Sequence, residues 1–356
     1  MSDFASRLII WQKMHGRHDL PWQNTSDPYA IWVSEIMLQQ TQVASVIGYY
    51  SKFMQRFPNI AALALATQEE VLQHWSGLGY YSRARNLHHA ATIILDQHNG
   101  AFPQDFDIIQ TLPGIGRSTA AAIASFAFNQ VQTILDGNVK RVLARHFLVE
   151  GWPSSPKVEK DLWRLAEALL PQQDMVAYTQ GLMDLGATLC SRSKPKCTGC
   201  PLMNTCAAYQ QNRVGELPTA KPRKAIPEKY TTMLILLLGD EVLLEKRPPT
   251  GIWGGLWSFP ETDAKLGFEA IVLNQFAIIA EATQPLPVLS HAFTHFKLHI
   301  QPQPLQALTL QPEINEPKYM WLSIDDAIGA AIPTPIRKIL HSLLKQSMIN
   351  THKKSA

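Results

Sequence analysis

Four cysteines are the residues of this chain best suited to hold an inorganic centre. They crowd into one loop with the spacing C-x6-C-x2-C-x5-C, and they are Cys190, Cys197, Cys200 and Cys206. A disulfide framework usually spreads its cysteines across a small secreted domain, whereas thiolates in one loop of a long chain indicate a shared centre. Zinc and a [4Fe–4S] cluster both accept four cysteine ligands. The single C-x2-C pair and the lack of a histidine in the loop favour iron–sulfur and leave zinc open.

Three cations lie between the first two cysteines, namely Arg192, Lys194 and Lys196. A loop pinned by a metal centre and carrying three positive charges could clamp a phosphate. The same side chains could equally be solvated surface charges, and the sequence leaves both readings open.

Two carboxylates could divide acid and anion chemistry between them. Glu35 is the only acidic residue of the apolar segment Tyr29–Leu38, and burial would raise its pKa toward that of a general acid. A buried salt bridge or a place at the helix edge would explain it as well. Asp136, followed by Gly137 and Asn138, could simply cap a helix from Val139. Capping would also keep its carboxylate oriented and ionised, so the two roles are compatible.

Two further segments are suited to binding nucleic acid. In Leu112–Ala120, Gly114 and Gly116 allow a tight turn between two helices and expose backbone N–H groups where the second helix begins. Such a hairpin can grip a DNA backbone, although many helix pairs simply turn on glycine. The polar run Gln39–Gln42 follows the Glu35 segment, and its amides could enter a base stack or merely end a helix.

The elements that must position these residues change character along the chain. Up to residue 209 apolar residues recur at helical spacing, which predicts an all-helical region. The predicted helices are Tyr29–Leu38, Val43–Phe57, Ala84–Gln97, Ser118–Phe128, Val139–Leu148 and Val158–Leu170. A basic, proline-bearing linker is predicted at 211–229. Beyond it we predict a mixed α/β region, with a hairpin of Thr231–Leu238 and Glu241–Lys246, a strand at Phe293–Gln301 and a helix at Ile336–Gln346.

Composition allows a two-domain globular protein and excludes a disordered one. The 356 residues are 46% hydrophobic and 17% charged, with a formal net charge of +3 that permits nucleic acid as a partner without requiring it. No apolar run is long enough to span a bilayer, so no membrane partner is expected. Free thiolates favour a reducing, cytoplasmic location.

Taken in order, the motifs resemble those of MutY-type adenine DNA glycosylases. The matching segments are Leu20–Trp22, Ser34–Val43, Gly77–Tyr81, Leu112–Thr119, Leu135–Arg141 and the cysteine loop. The resemblance extends over nearly the whole chain. It implies an all-helical helix-hairpin-helix glycosylase domain (1–210) with a [4Fe–4S] cluster loop at 190–206, the linker at 211–229 and a Nudix-like α/β domain (230–356). It further implies removal of adenine mispaired with 8-oxoguanine or guanine in double-stranded DNA during base-excision repair. The expected protein is monomeric and acts at the nucleoid.

The resemblance also assigns roles to single residues. Glu35 matches the catalytic acid, Asp136 the carboxylate that stabilises the transition state, and Asn138 a nearby amide. Gln40 and Tyr80 match residues that enter the duplex beside the lesion. The other predicted DNA-binding residues are Gly114, Gly116, Ser118, Lys140 and Arg192. Trp22, Gln23 and Gln180 match the lining of the adenine pocket. Phe293, Thr294 and His295 match the 8-oxoguanine sensor, with Thr294 where the family often has serine. The four cysteines match the cluster ligands.

Two departures from related enzymes refine the expected activity. Bifunctional relatives carry a lysine at the position of Ser118, and a serine cannot form an imine with the sugar. We therefore expect a monofunctional glycosylase. Nudix hydrolases need the glutamate-rich sequence R-E-x-x-E-E, but the segment that directly follows Pro260 offers only the glutamates Glu261 and Glu269. The second domain is therefore expected to recognise DNA rather than to hydrolyse pyrophosphates.

Overall fold

The computed structural model describes residues 2–222, 225–310 and 317–354, without side-chain detail at 310 and 346–354. The chain forms two compact units. The first comprises residues 1–65 and 86–223, and the second comprises residues 66–85 and 224–356. Residues 66–85 thus belong with the C-terminal part of the chain, a grouping that the sequence does not indicate.

Helices make up the regular structure described in the N-terminal half of the chain. They are α1 (Asp3–His15), α2 (Pro28–Leu38), α3 (Val43–Arg56), α4 (Ile60–Ala64), α5 (Gln68–Trp75), α6 (Ser82–Gln97), α7 (Phe106–Thr111), α8 (Arg117–Phe128), α9 (Gly137–His146), α10 (Pro156–Ala168), α11 (Met175–Asp184) and α12 (Ala207–Gln210). A π-helical turn at Leu185–Leu189 extends α11 toward the cysteine loop. The six predicted helices agree with the structure to within a few residues at each end.

Local signals explain where the helices of the site begin. Asp27 caps α2 through the N–H of Tyr29, and Pro28 occupies the first turn, where its missing N–H costs nothing. Helix α8 carries the buried small residues Ala120, Ala121, Ala122 and Ala124, and these let α2 pack closely against it. Packing against α8 therefore fixes the position and direction of α2, the helix that carries Glu35.

The second unit is built on a mixed sheet. Its described strands are β1 (Glu228–Leu238), β2 (Glu241–Lys246), β3 (Trp257–Ser258), β4 (Glu261–Thr262), β5 (Ile278–Ala282), β6 (Leu289–Ala292), β7 (Lys297–Leu310) and β8 (Tyr319–Ser323). The order is β3-β2-β1-β7-β5, with β4 on β1, β6 on β7 and β8 on β2. Strands β1 and β7 run parallel, and the other pairs are antiparallel. Helices α13 (Phe268–Phe276), α14 (Ile324–Gly329) and α15 (Thr334–Lys354) complete the unit.

The predicted hairpin is confirmed, because β1 and β2 pair around Gly239, whose φ of 62° suits a glycine. The predicted strand at Phe293–Gln301 begins too early. Residues 293–296 form a tight turn in which the N–H of Phe293 donates to the carbonyl of Phe296, and β7 starts only at Lys297. The alternation of Phe296, Leu298 and Ile300 with polar residues does not extend back to Phe293 and Thr294, so the prediction placed the start of the strand beyond the pattern that supports it.

Hydrogen bonds join α5 and the residue after it to the C-terminal part of the second unit. The carboxylate of Glu69 accepts from Lys246 at 2.7 Å and from the indole N–H of Trp257. Ser76 donates to the carbonyl of Ile332 and accepts from Arg337. These partners are far apart in sequence, which is why the chain alone does not reveal them. Within the described residues, no helix combines the length and apolarity that a bilayer crossing needs.

Candidate active site, cluster loop and DNA-facing surfaces

Glu35 lies near the end of α2, where nearly every neighbour is buried and the Glu35 side chain is half-buried. It opens on a cavity of about 440 Å³ in the first unit. Burial, and then the negative charge of Asp136, raise the pKa of Glu35 to about 8. A carboxyl with this pKa is still protonated at neutral pH and can donate that proton. The salt-bridge alternative is not seen, because no ion pair involving Glu35 is present among the described residues.

Asp136 caps α9, since its carboxylate accepts the N–H of Val139 at 2.8 Å. The amide of Asn138 also hydrogen-bonds to Asp136, and its oxygen accepts from Arg141 at 2.9 Å. Burial raises the pKa of Asp136, while the two backbone N–H groups at the helix start and the charge of Arg141 oppose that rise. Of the two carboxyls, Asp136 is the one surrounded by donors, so it is the better suited to remain an anion.

The cavity brings together the residues that the resemblance assigns to an adenine pocket. Trp22, Gln23 and Gln180 all line it with Glu35. Trp22 is buried and packs edge-on against Tyr50, so it forms a rigid apolar wall. The amide of Gln23 is occupied locally, because it donates to the carbonyl of Arg17 and accepts the N–H of Leu20. Gln23 therefore shapes the loop that closes the cavity.

A buried ion pair behind this cavity was missed by sequence reasoning. Asp184 is fully buried and accepts from Arg17 at 2.7 Å and from Gln180 at 2.9 Å. Arg17 follows α1, and Asp184 ends α11, so about 170 residues of sequence separate them. The available signal was an acidic residue four positions after Gln180 on a helix, which puts both on one face.

The predicted glycine hairpin connects α7 and α8. Gly114 adopts a φ of +79°, and a Cβ there would lie 2.9 Å from Asn86. Gly114 and Gly116 are exposed, whereas Ile115 between them is buried and anchors the turn. The amide of Gln39 reaches the hairpin through Thr119 at 3.3 Å. The hydroxyl of Ser118 accepts the N–H of Leu135 at 2.9 Å, which ties the hairpin to the residue preceding Asp136.

The four cysteines are not disulfide-bonded, and they line a single cavity with apolar neighbours such as Leu189 and Leu202. Burial, opposed by a backbone hydrogen bond from Leu202 and reinforced by the other three thiols, raises the pKa of Cys200 to about 11. Four thiols that converge on one largely apolar cavity fit the donor set of an iron–sulfur cluster. Within the described ranges, no three His, Cys, Asp or Glu side chains are close enough to hold one metal ion.

Arg145, which sequence reasoning also missed, holds the cysteine loop. Its guanidinium is buried and donates to the carbonyls of Ser191 at 2.8 Å and Arg192 at 3.1 Å. The side chain of Arg192, like those of Lys194 and Lys196, is exposed. By contrast, Lys140 forms an ion pair with Glu159 at 2.7 Å, so a phosphate would have to compete for it.

The remaining predicted residues lie in two places. Gln40, just after α2, is exposed with a φ of 57°. Tyr80 belongs to the second unit, where its hydroxyl lies 3.4 Å from that of Thr294. Phe293, Thr294 and His295 line a groove of about 430 Å³ that Tyr80 shares. The Phe293 ring stacks on Phe296 with 4.6 Å between ring centroids. The structure thus brings Tyr80 and the predicted sensor together.

Comparison with known proteins agrees with this geometry. Residues 33–168 match the model of the HhH-GPD superfamily base excision DNA repair proteins, and residues 231–342 match that of the NUDIX domain. An adenine DNA glycosylase of Buchnera aphidicola subsp. Acyrthosiphon pisum (strain APS) is 39% identical over 348 residues, covering 96% of this chain and 98% of the relative. The chain belongs to the adenine DNA glycosylase family.

Members of this family occur well beyond bacteria. The Mus musculus adenine DNA glycosylase is 34% identical over 400 residues, covering 94% of this chain and 77% of the relative. Among solved structures, a thermostable thymine-DNA glycosylase superposes with a TM-score of 0.54 at 31% identity, covering 58% of this chain and 95% of the other. The predicted fold class, a helical glycosylase domain followed by a Nudix-like α/β domain, is confirmed.

Proposed function

We propose that this protein removes adenine mispaired with 8-oxoguanine or guanine from double-stranded DNA. The observation that carries the proposal is the pair Glu35 and Asp136, in which one carboxyl is kept protonated beside another that is surrounded by donors. Two carboxyls in different surroundings can divide the acid and anion roles, as they do in glycoside hydrolysis. The family assignment supplies adenine as the base.

The proposed reaction begins with the adenine rotated out of the duplex into the cavity, at a cost of a few kcal/mol. Glu35 donates its proton to N7, so that the base departs neutral rather than as a poor anion. The C1′–N9 bond breaks, and the sugar carries positive charge that the carboxylate of Asp136 stabilises. Glu35, now ionised, accepts a proton from the water that attacks C1′ and is restored to its acid form.

The DNA would be held by exposed groups of several segments. Gly114 and Gly116 of the hairpin are exposed at the start of α8, where backbone N–H groups favour a phosphate. Arg192 and Lys140 would approach the backbone, Lys140 only after exchanging Glu159 for a phosphate. Gln40 and Tyr80 are the exposed side chains that would enter the duplex beside the mispair. We infer that the protein works as a monomer on DNA in the cytoplasm.

The proposed function is tested with a labelled duplex containing one A:8-oxoguanine pair. The wild-type protein should release adenine and leave an intact strand that breaks only on heating with alkali, because Ser118 cannot form an imine and instead holds Leu135. A bifunctional glycosylase would cut the strand without alkali and would be trapped by borohydride. A protein that only binds DNA would release no base at all.

We propose that Cys190, Cys197, Cys200 and Cys206 ligate a [4Fe–4S] cluster, which supports the fold of the loop that they line. Cys200→Ser is expected to abolish the broad visible absorption near 400 nm, roughly where such clusters absorb, and the bound iron. Affinity for duplex DNA should fall about tenfold or more, because the loop that presents Arg192 loses its support.

The matched control for Cys200→Ser is Arg192→Ala, which removes a loop cation and leaves every thiol in place. It should retain the absorption and the iron while weakening DNA binding modestly. A colourless wild-type protein containing one zinc and full activity would contradict the cluster assignment.

We propose that Phe293, Thr294 and His295 recognise the base opposite adenine. Thr294→Ala is expected to lower the rate on A:8-oxoguanine about ten- to hundredfold relative to the rate on A:G, because only the oxidised base offers the additional hydrogen bond. Single-turnover rates on the two duplexes measure this ratio. Thr309→Ala on an exposed part of β7 should leave the ratio unchanged. Equal losses on both duplexes would show that Thr294 serves general DNA affinity instead.

A further inference from the structure

Asp184 is a fully buried aspartate that controls two residues of the cavity without reaching the cavity itself. Its exposed fraction is 0%. One carboxylate oxygen accepts the backbone N–H of Arg17 at 2.9 Å, and the other accepts from Nε of Arg17 at 2.7 Å and from Nε2 of Gln180 at 2.9 Å. Both Arg17 and Gln180 line the cavity. Asp184 therefore acts on any bound base only through these two side chains.

These bonds determine which way the Gln180 amide points. A carboxylate accepts hydrogen bonds and donates none, so the NH₂ end of the amide must face Asp184. The carbonyl oxygen Oε1 of Gln180 is consequently the end left for other partners, and within the described residues no donor is bonded to it. Arg17 points Nε at Asp184, which leaves the Nη groups of its guanidinium as further donors. The cavity wall thus offers one acceptor and neighbouring donors in a fixed arrangement.

This arrangement complements one class of purine and opposes another. A flipped base is read through its Watson–Crick edge. A 6-aminopurine presents a donor at N6 beside an acceptor at N1, which matches an acceptor on Gln180 beside donors on Arg17. A 6-oxopurine presents the reverse, an acceptor at O6 beside a donor at N1. Its O6 would face the oxygen of Gln180, and its N1–H would face a guanidinium.

We propose that Asp184 is a positioning residue that fixes the hydrogen-bond polarity of the cavity and thereby selects a 6-aminopurine over a 6-oxopurine. The proposal rests on the proposed glycosylase function and deepens it. Without the carboxylate, Gln180 can present either end of its amide, and Arg17 loses the counter-charge that orients it. Discrimination should then fall even where the fold and the acid chemistry at Glu35 persist.

The test compares duplexes that differ only in the target base, adenine or hypoxanthine, with the same base opposite. For Asp184→Asn, the ratio of single-turnover rates, adenine over hypoxanthine, is expected to fall about ten- to hundredfold below the wild-type ratio. The ratio separates selectivity from a general loss of folded protein, which would lower both rates together. Asp161→Asn, in an exposed ion pair with Arg164, is the matched control and should keep the wild-type ratio.

A second measurement does not require turnover. Equilibrium binding is compared for duplexes with 2′-fluoro forms of the two nucleosides, which resist cleavage, and Asp184→Asn should narrow the preference for the 6-amino form. If wild-type protein releases no adenine, the proposed function fails, and this binding preference still decides the role of Asp184. If Asp184→Asn does not fold, Gln180→Leu decides, because it removes the acceptor and should lower the same ratios. If the measurable variant keeps the adenine-over-hypoxanthine ratios of the wild-type protein, the proposal is overturned.

Discussion

Replacing Glu35 with glutamine is expected to abolish adenine release while leaving DNA binding close to that of the wild type. Glutamine has nearly the same size and can fill the same place in α2, but its amide cannot deliver a proton to the departing base. General acid catalysis typically contributes about 100- to 10,000-fold, so the single-turnover rate should fall by at least that factor. Rates on an A:G duplex and affinities for the same duplex measure the two effects separately.

The pH dependence of the wild-type enzyme follows from the same residue. Since the pKa of Glu35 is raised to about 8, its proton is available below that pH and the rate should fall above it. On the acid side the rate should fall as Asp136 takes up a proton, at a pH above its ordinary value of 3.8 because its pKa is raised. A bell-shaped profile is therefore expected, whose limbs belong to the coupled pair.

Protein stability gives an independent check on Glu35. The folded state holds the Glu35 proton more tightly than the unfolded chain does. The difference acts at pH values between 4.5, the ordinary pKa of a glutamate, and about 8, the pKa of Glu35 in the folded protein. The free energy of unfolding should therefore decline as pH rises through this window, and Glu35→Gln should remove that part of the decline. Near-wild-type turnover of Glu35→Gln would exclude Glu35 as the acid.

Asp136→Asn is expected to lower the rate of adenine release about 100- to 1000-fold, the range seen when one preorganised electrostatic contact to a transition state is removed. The variant is informative because asparagine caps helices about as well as aspartate does. Its side-chain oxygen can still accept the N–H of Val139, so α9 should begin at the same residue. What is lost is the negative charge that stabilises the positive sugar.

The control for Asp136→Asn is its thermal midpoint, which should stay within a few degrees of the wild-type value because the cap is kept. Asp105→Asn, at the cap of α7, makes the same chemical change away from the site and should leave the rate intact. A large drop in the midpoint of Asp136→Asn would assign the lost activity to the helix start, and an unchanged rate would remove Asp136 from the mechanism.

Local sequence patterns were sufficient to predict many of the helices in the N-terminal part of the chain. The helices predicted from periodicity and turn residues agree with α2, α3, α6, α8, α9 and α10. Helix α11 was not predicted, because it has no conventional start: Asp174 before it is left-handed and makes no side-chain cap. Helix α5 was also missed. It is short, and it belongs to a unit whose C-terminal part begins more than 140 positions later, at residue 224.

Local sequence patterns also predicted only part of the candidate site. Glu35 and Asp136 stand out in sequence because an acid in an apolar helix and an aspartate before a glycine are unusual locally. Arg17, Asp184 and Arg145 do not stand out, since each acts through a partner brought near only by folding. Residue type shows which groups can do chemistry, and long-range packing decides which groups orient them.

The path of the chain between the two compact units affects how such a protein can be recombined. The chain passes from one unit to the other after residues 65, 85 and 223. A hybrid gene joined only in the predicted linker would combine one parent's strands β2 and β3 with the other parent's α5. Glu69 and Ser76 would then lie against the second parent's residues at the positions of Lys246, Trp257 and Arg337, their present hydrogen-bond partners. The two halves of the gene are therefore expected to evolve as a matched pair, and a working chimera should require residues 66–85 to travel with the C-terminal half.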